Sequence, residues 1–183
     1  MGIVMQKCFF ILLLFTFIFS VPSWAKLKTY KLSSGTFQID VPDDWQAAPD
    51  LYGVPIIFLG PQVGERRPTI AIVPTPIEGA TFDPQGMAKD QENYKQGREK
   101  WLKSHNGKAV EYFPYKFSQW AKAAEVHTVG YKYLLGTLQF IEHSHYVVCE
   151  KKLFIIKTLI LDKYTNIYTS TIDNILRSFT CGK

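Results

Sequence analysis

Three long runs of strand-forming residues follow one another in the second half of the chain, and they constrain its fold more than any other feature. The runs are Glu125–Leu135, Leu138–Cys149 and Leu153–Leu161. Short connections separate them, with Lys151 and Lys152 at the last turn. Consecutive runs of this kind predict strands that pair in an antiparallel sheet.

Shorter strand signals precede these runs. Lys28–Leu32 is followed by Gly35–Val41, in which apolar and polar residues alternate. Two further apolar runs, Val54–Leu59 and Thr69–Val73, are joined by a polar loop over residues 60–67. Apolar runs separated by such a loop are typical of an antiparallel hairpin.

Two helices complete the predicted fold. The first begins at Asp83 and Pro84, because Asp is a favoured N-cap and Pro fits the first helical position. It ends near Ser104, and its thin apolar stripe predicts a helix on the surface of the sheet. The second covers about residues 164–179, where apolar residues recur on one face. This order of elements predicts an α+β domain, in which helices flank a mainly antiparallel β-sheet.

The N-terminal residues 1–25 predict a cleaved signal peptide. Lys7 supplies a positive charge, and 14 uncharged residues follow, beginning at Cys8. The tripeptide Ser-Trp-Ala then matches the small-x-small pattern that predicts cleavage after Ala25. An uncleaved membrane anchor is the alternative, but a bilayer span needs about 20 apolar residues. We therefore expect residues 26–183 to form a single domain without a membrane span, periplasmic or secreted.

The charge of the chain is modest and well mixed. Cleavage would remove Lys7, the only charged residue of the leader, and lower the formal net charge from +5 to +4. Basic residues stand beside acidic ones, as in Arg98-Glu99-Lys100. This mixture is typical of a solvated face, so we expect no nucleic-acid partner.

The cysteines predict one structural disulfide. Cleavage would remove Cys8 and leave Cys149 and Cys181, and an exported protein meets oxidising conditions. A bridge would close a loop of about 30 residues and stabilise the fold by about 3–4 kcal/mol. Two buried free thiols are the alternative. The sequence contains no Cys-x-x-Cys, so we expect no redox catalysis.

One segment near the start of the predicted domain resembles the opening signature of the PsbP-like superfamily. The matching residues are Phe37, Ile39, Val41, Pro42 and Trp45. The end of the last predicted helix, residues 175–179, is similar to the final helix of that superfamily. The superfamily is named for an extrinsic subunit of photosystem II, and it includes a Ran-binding nuclear protein and several bacterial envelope proteins. The resemblance implies an α/β/α sandwich with no shared active site, whose members bind partners or assist assemblies.

Sequence motifs that carry catalysis are absent from the chain. It contains no Gly-x-Ser-x-Gly, no His-Glu-x-x-His and no Gly-x-Gly-x-x-Gly, and its two remaining cysteines are predicted to pair. We therefore expect a protein that is not an enzyme and has no cofactor.

Histidines form one constellation that could bind a metal. His143 and His145 are two residues apart, so on a strand they project from the same face and could share Zn or Cu. His127 is a candidate third ligand, with Glu125 or Glu142 as an oxygen donor. The alternative is that these histidines are exposed polar residues at the end of a strand.

Aromatic residues are concentrated in the segment Glu111–Trp120. They are Tyr112, Phe113, Tyr115, Phe117 and Trp120. The alternation predicts that Phe113, Tyr115 and Phe117 lie on one face. Such a face could line a groove for an apolar or carbohydrate-like ligand, or it could be the inner side of a half-buried sheet.

Recognition of a partner is predicted in the loop over residues 60–67, because exposed loops carry binding residues more often than core strands do. Arg66 and Arg67 in this loop would suit an acidic partner. Taken together, the sequence predicts an exported, non-enzymatic accessory or protein-interaction protein of a bacterial envelope, with an unidentified envelope protein as its partner. The alternative function is a periplasmic protein that binds a metal or a small ligand.

Overall fold

The computed structural model of the chain describes residues 27–32, 35–76, 86, 90–120, 125–149 and 152–182. The predicted leader and the predicted helix start at Asp83 and Pro84 lie outside these residues. The strands are β1 (Leu27–Leu32), β2 (Gly35–Asp40), β3 (Gln46–Leu51), β4 (Val54–Leu59), β5 (Thr69–Pro76), β6 (Gly107–Gln119), β7 (Glu125–Leu135), β8 (Leu138–Cys149), β9 (Lys152–Leu161) and β10 (Thr180–Cys181). The helices described over their full length are α1 (Gln91–Ser104) and α2 (Thr165–Ser178).

Seven strands form the larger sheet. Their order across it is β3-β4-β5-β9-β8-β7-β6, and every neighbouring pair is antiparallel. The predicted hairpin of β4 and β5 is confirmed, and so is the antiparallel pairing of β7, β8 and β9. The observed α+β fold, dominated by antiparallel sheet, is the predicted one.

Two strands escaped the sequence analysis. Strand β3 lacks an alternating apolar pattern and contains Pro49, which is tolerated because β3 lies at the edge of the sheet. Strand β10 has only two residues, too few to leave a pattern. It pairs with β2 in a small sheet of order β1-β2-β10.

Helix α2 covers one side of the larger sheet, which we call the α2 face. Ile172, Ile175 and Leu176 of this helix pack with Ile141 and Val147 of β8 in one hydrophobic core. The small sheet contributes to the same core through the buried signature residues of β2 and of the turn after it. The apolar stripe of α2 therefore packs across the sheet as predicted.

Helix α1 lies on the opposite side, which we call the α1 face. Leu102 of this helix packs with Tyr131 and Tyr133 of β7 and with Phe140 of β8 in a second core. Phe140 and Ile141 are neighbours in the chain but belong to different cores, because alternate residues of a strand point to opposite faces. The larger sheet thus lies between two helices, in an α/β/α sandwich.

The disulfide joins the two sheets. Cys149 at the end of β8 is bonded to Cys181 in β10, with a Cα–Cα distance of 5.8 Å. The predicted pairing is confirmed. It holds the C-terminal strand, and through it the small sheet, against the α2 face.

Helix α1 ends at Ser104, as predicted, and α2 falls within one residue of its predicted limits. Of the helices in the described ranges, none is both long and apolar enough to span a membrane.

Candidate functional site

A cavity of about 370 Å³ lies on the α2 face, between α2 and strands β6 to β9. Its apolar lining residues are Phe113, Trp120, Ile141, Ile160, Ile172 and Leu176. Its polar and charged lining residues are Lys116, Ser118, Gln119, Thr128, His143, His145, Thr158, Thr165, Thr169, Asp173 and Arg177. A cavity of this size, with aromatic and apolar walls and polar groups that converge on it, is suited to a small molecule.

His145 is the more buried of the two histidines that line the cavity. Its side chain lies at the centre of the sheet and is 9% exposed. Its Nδ1 lies 3.0 Å from Oγ1 of Thr128, whereas its buried Nε2 has no hydrogen-bond partner among the described residues. A buried polar atom without a partner costs about 1–3 kcal/mol, so Nε2 favours any group in the cavity that can pair with it.

Burial also determines the charge of this histidine. Burial, with a smaller contribution from His143, lowers the pKa of His145 to about 3. Burial likewise lowers the pKa of His143, against an opposing effect of Asp173. Both imidazoles are therefore neutral near pH 7, and each ring has one nitrogen that accepts and one that donates.

His143 is held in place by stacked rings. Its ring centroid lies 5.9 Å from that of His145 and 5.1 Å from that of Phe113. Gly130 makes room for this stack, because a Cβ there would lie 2.6 Å from Cδ2 of His143 and 3.1 Å from Cδ2 of Phe113. Trp120 completes the aromatic wall, with its ring 5.4 Å from that of His145.

Three side chains that line the cavity are charged and exposed: Lys116, Asp173 and Arg177. Two are cationic and one is anionic, so the outer part of the cavity carries a small positive excess. Asp173 and Arg177 lie one helical turn apart on α2, beside the apolar stripe that faces the sheet.

His127 lies on the other side of the sheet. It pairs across the strands with Tyr146, whereas Thr128, the next residue, pairs with His145. Its Nδ1 lies 2.6 Å from the hydroxyl of Tyr115. The structure therefore brings His143 and His145 together and does not bring His127 to them.

The predicted oxygen donors are also away from these two histidines. Glu142 lies on the α1 face, where one carboxylate oxygen is 3.8 Å from Nη1 of Arg98. Burial raises the pKa of Glu142, while Lys157 and Arg98 lower it in part. Glu125 is exposed and shares the face of His127. Within the described ranges, no group of three or more His, Cys, Asp or Glu side chains is placed to hold a metal ion.

The aromatic residues of β6 divide between the two faces. Phe113 contacts His143 on the α2 face, whereas Tyr115 and Phe117 contact His127 on the α1 face. The prediction of one shared face is wrong for Phe113. The cause is a register shift between Phe113 and Lys116, since an inserted residue reverses the alternation that follows it.

Arg66 and Arg67 are exposed in the loop between β4 and β5. They line a second cavity, of about 430 Å³, together with residues of the α1 face. The arginines and the histidines therefore line different cavities.

The sequence analysis missed most of the polar lining contributed by α2. Its members are Thr165, Thr169, Asp173 and Arg177. They recur every four residues, so they form a polar stripe on the helix beside the apolar one. That spacing was a usable signal, because a polar stripe next to a core stripe lies at the margin of the packed surface.

Comparison with known proteins identifies the class of fold. No protein-family model matches the sequence, and no curated protein matches it. Solved structures do match, and three are described here. CyanoP, the cyanobacterial PsbP from Synechocystis sp. PCC 6803, is 17% identical with a TM-score of 0.64, covering 86% of this chain and 94% of its own.

LpqN, involved in cell envelope biogenesis of Mycobacterium tuberculosis, is 18% identical with a TM-score of 0.60, covering 86% of this chain and 91% of its own. A mutant of the protein Mog1 is 8% identical with a TM-score of 0.51, covering 85% of this chain and 96% of its own. The chain therefore has a PsbP-like fold. Identities this low establish the fold alone.

Proposed function

We propose that the protein is an exported, non-enzymatic accessory protein of the bacterial envelope that binds a small organic ligand in the cavity on the α2 face. One observation carries this proposal: buried Nε2 of His145 lines a cavity of about 370 Å³ and has no hydrogen-bond partner among the described residues. A polar group of a bound ligand would satisfy that atom.

The lining indicates which chemistry such a ligand has. Its volume lies in the range of about 300–1,000 Å³ found for small-molecule sites. Phe113 and Trp120 offer aromatic surface to an apolar body, and neutral His145 offers a hydrogen bond to a hydroxyl or amide group. We infer an uncharged or weakly anionic molecule that is polar at its inner end.

Export is supported from two directions. The Cys149–Cys181 bridge suits an oxidising compartment, and the similar LpqN structure belongs to a protein involved in cell envelope biogenesis. Cleavage of a leader after Ala25 remains a prediction from the sequence.

Binding of Zn or Cu stays the second candidate, on the single observation that the rings of His143 and His145 are 5.9 Å apart on one face. Two imidazoles leave a tetrahedral ion in need of further ligands. Metal binding in this cavity would therefore need water or an added ligand, and it is tested in the same experiment.

Native mass spectrometry of the protein isolated from its own envelope tests the proposal. We expect the wild type to carry an added mass of a small organic molecule, and His145→Leu to lose at least nine-tenths of it. His127→Leu is the matched control, because it removes a buried histidine from the opposite face of the same sheet.

The outcomes separate the candidates. An added mass equal to Zn or Cu, lost in His143→Leu, would favour the metal. A bare wild-type chain, or a ligand retained in full by His145→Leu, would contradict ligand binding in this cavity. Thermal unfolding of each variant shows that its loss of ligand is not a loss of fold.

A further inference from the structure

The second cavity lies on the α1 face, at the end of the sheet near the β4–β5 loop. Its volume is about 430 Å³. Its apolar wall consists of Trp101, Tyr133, Leu135, Phe140, Leu159, Ile160 and Leu161. Arg66 and Arg67 stand at its edge, exposed to solvent. We call these side chains the Arg–Trp pocket.

The charges of the two arginines are not neutralised by their described surroundings. Nη1 of Arg67 donates to the amide oxygen of Gln46, at 2.9 Å, which is a neutral acceptor. Glu65, the acidic residue of the same loop, pairs instead with Lys163, at 3.5 Å. Neither arginine therefore forms an ion pair with any residue in the described ranges, and both guanidinium groups remain available to carboxylates.

The loop that presents them is anchored at several points. The hydroxyl of Tyr168 donates to the carbonyl oxygen of Pro61, at 2.8 Å. The backbone N–H of Gly60 donates to the carbonyl oxygen of Pro68, at 2.9 Å. Gly64 has a φ of +67°, and it packs so closely on Tyr164 that a Cβ would lie 2.0 Å from the phenolic oxygen. A loop held this way loses little conformational entropy on binding.

Aromatic surface adjoins the arginines. Trp101 is 36% exposed although its ring stacks on His105, at 4.4 Å, and meets Tyr133 edge-on, at 6.2 Å. Trp, Tyr and Arg are the residue types most enriched where protein interfaces have their largest binding energies. An apolar cavity bordered by two guanidinium groups that form no ion pair with a described residue is complementary to an apolar side chain flanked by carboxylates.

We infer that the Arg–Trp pocket binds an acidic segment of a partner protein, with one apolar side chain of that segment in the cavity and its carboxylates on Arg66 and Arg67. This goes beyond the ligand site, because the pocket lies on the α1 face and shares only Ile160 with the lining of the ligand cavity. It defines the partner by its chemistry: an exposed, acidic segment with an aromatic or aliphatic anchor.

Fluorescence anisotropy with a labelled peptide tests the inference on the folded, disulfide-bonded chain. The probe has a central phenylalanine flanked on each side by two glutamates. We expect saturable binding that weakens at least tenfold when phenylalanine is replaced by serine, and that weakens further at high salt. No saturable binding up to about 1 mM peptide would overturn the inference.

Variants locate the binding. The double variant Arg66→Ala with Arg67→Ala should lower the affinity for the peptide at least tenfold. Trp101→Ala should lower it by a similar factor. Lys31→Ala with Lys152→Ala is the matched control, because it removes two exposed positive charges that do not line the pocket, and it should leave the affinity within twofold. Equal losses in the two double variants would mean attraction by net charge alone and would overturn the inference.

A final arm separates a protein partner from a small organic acid. The probe is 3-phenylpropionate, which supplies one ring and one carboxylate but no peptide. We expect it to bind at least tenfold more weakly than the peptide, since it can occupy only one arginine. Equal affinity would assign the pocket to a small molecule and contradict the protein partner. His145→Leu should leave peptide binding unchanged, so this inference and the proposed function can fail independently.

Discussion

The two faces of the larger sheet differ in what surrounds their buried polar groups. On the α1 face, buried Oε1 of Glu142 makes no hydrogen bond to a described residue, but the nearby cations Arg98 and Lys157 stabilise its charge. On the α2 face, Nε2 of His145 adjoins a cavity and has no described partner. Glu142 and His143 are neighbours in the chain, yet one belongs to a packed charge cluster and the other to an open site. Buried polar residues alone therefore do not point to a binding site, and it is the cavity beside His145 that motivates our proposal of one.

Loss of the disulfide should have the largest effect, and it should fall on the α2 face. The bridge joins residues separated by 32 positions, and closing a loop of that size stabilises a fold by about 3–4 kcal/mol. Cys149 belongs to the core of the α2 face. We expect Cys149→Ser with Cys181→Ser to lower the free energy of unfolding in urea by that amount.

Hydrogen exchange then shows where the loss occurs. Amide protection should fall in β2 and β10, and should persist in β6 and β7. A free energy of unfolding equal to that of the wild type, or an equal loss of protection on both faces, would contradict a disulfide that serves the α2 face.

On the α1 face, the largest effect should come from breaking the charge cluster. Arg98→Leu leaves the carboxylate of Glu142, 14% exposed, with one cation fewer. Removing one partner of a fully buried pair costs about 3–5 kcal/mol, and we expect about 2–3 kcal/mol because Arg98 is 30% exposed.

The double variant Arg98→Leu with Glu142→Gln sharpens this expectation. It should cost less than Arg98→Leu alone, because no buried charge is left behind. Free energies of unfolding that simply add would show that the two side chains are not coupled, and the contrast between the faces would fail.

Two buried groups on opposite faces, His145 and Glu142, should also respond to acid in opposite directions. The folded-state pKa of His145, about 3, lies below its ordinary value of 6.5, so the unfolded chain binds the proton first as pH falls. Stability from this group is present above pH 6.5 and is lost below it, by about 2 kcal/mol at pH 5. The raised pKa of Glu142 acts the other way, because the folded chain binds that proton first.

Urea unfolding between pH 7.5 and pH 5 measures the combined effect of these groups on the free energy of unfolding. We expect stability to fall with acid in the wild type, to fall less in His145→Leu and to fall more in Glu142→Gln. The same slope in the wild type and His145→Leu would show that His145 is not buried in its neutral form.

The smallest effects should come from one substitution made on each face. Gly130→Ala would place a Cβ 2.7 Å from the backbone oxygen of Glu142 and should cost about 1–2 kcal/mol. It should also weaken ligand binding in the cavity on the α2 face, because the ring of His143 must move. Gly97→Ala on α1 meets nothing within 4 Å and should stabilise the fold by about 0.5–1 kcal/mol. Thermal unfolding measures both, and shifts of the same sign would contradict the packing described for the two faces.

Much of the fold could be predicted because the signals were local. The boundaries of β4, β7 and β8 follow from runs of apolar residues, and the disulfide follows from a pair of cysteines in a chain predicted to be exported. Strand β3 could not be predicted, because it contains Pro49, which a strand tolerates only at the edge of a sheet. Its position at the edge is not visible in the sequence. The pairing of β5 with β9 could not be predicted either, because it joins distant parts of the chain and no local pattern indicates it.

The candidate site depended on register, and one signal for it went unused. Leu135 pairs with Leu138 across a two-residue turn that contains Gly136, with a φ of +62°. Such a turn fixes the register of a hairpin. Counting back from it pairs Thr128 with His145, which places His127 on the other face. The cavity itself could not be foreseen, because it depends on where α2 crosses the sheet.

A crystal structure of the protein purified from its own envelope would test the central claim most directly. The account predicts density for an organic molecule in the cavity on the α2 face, with a polar atom about 2.7–3.2 Å from Nε2 of His145. A cavity that holds only water, with a water molecule bonded to Nε2, would contradict it.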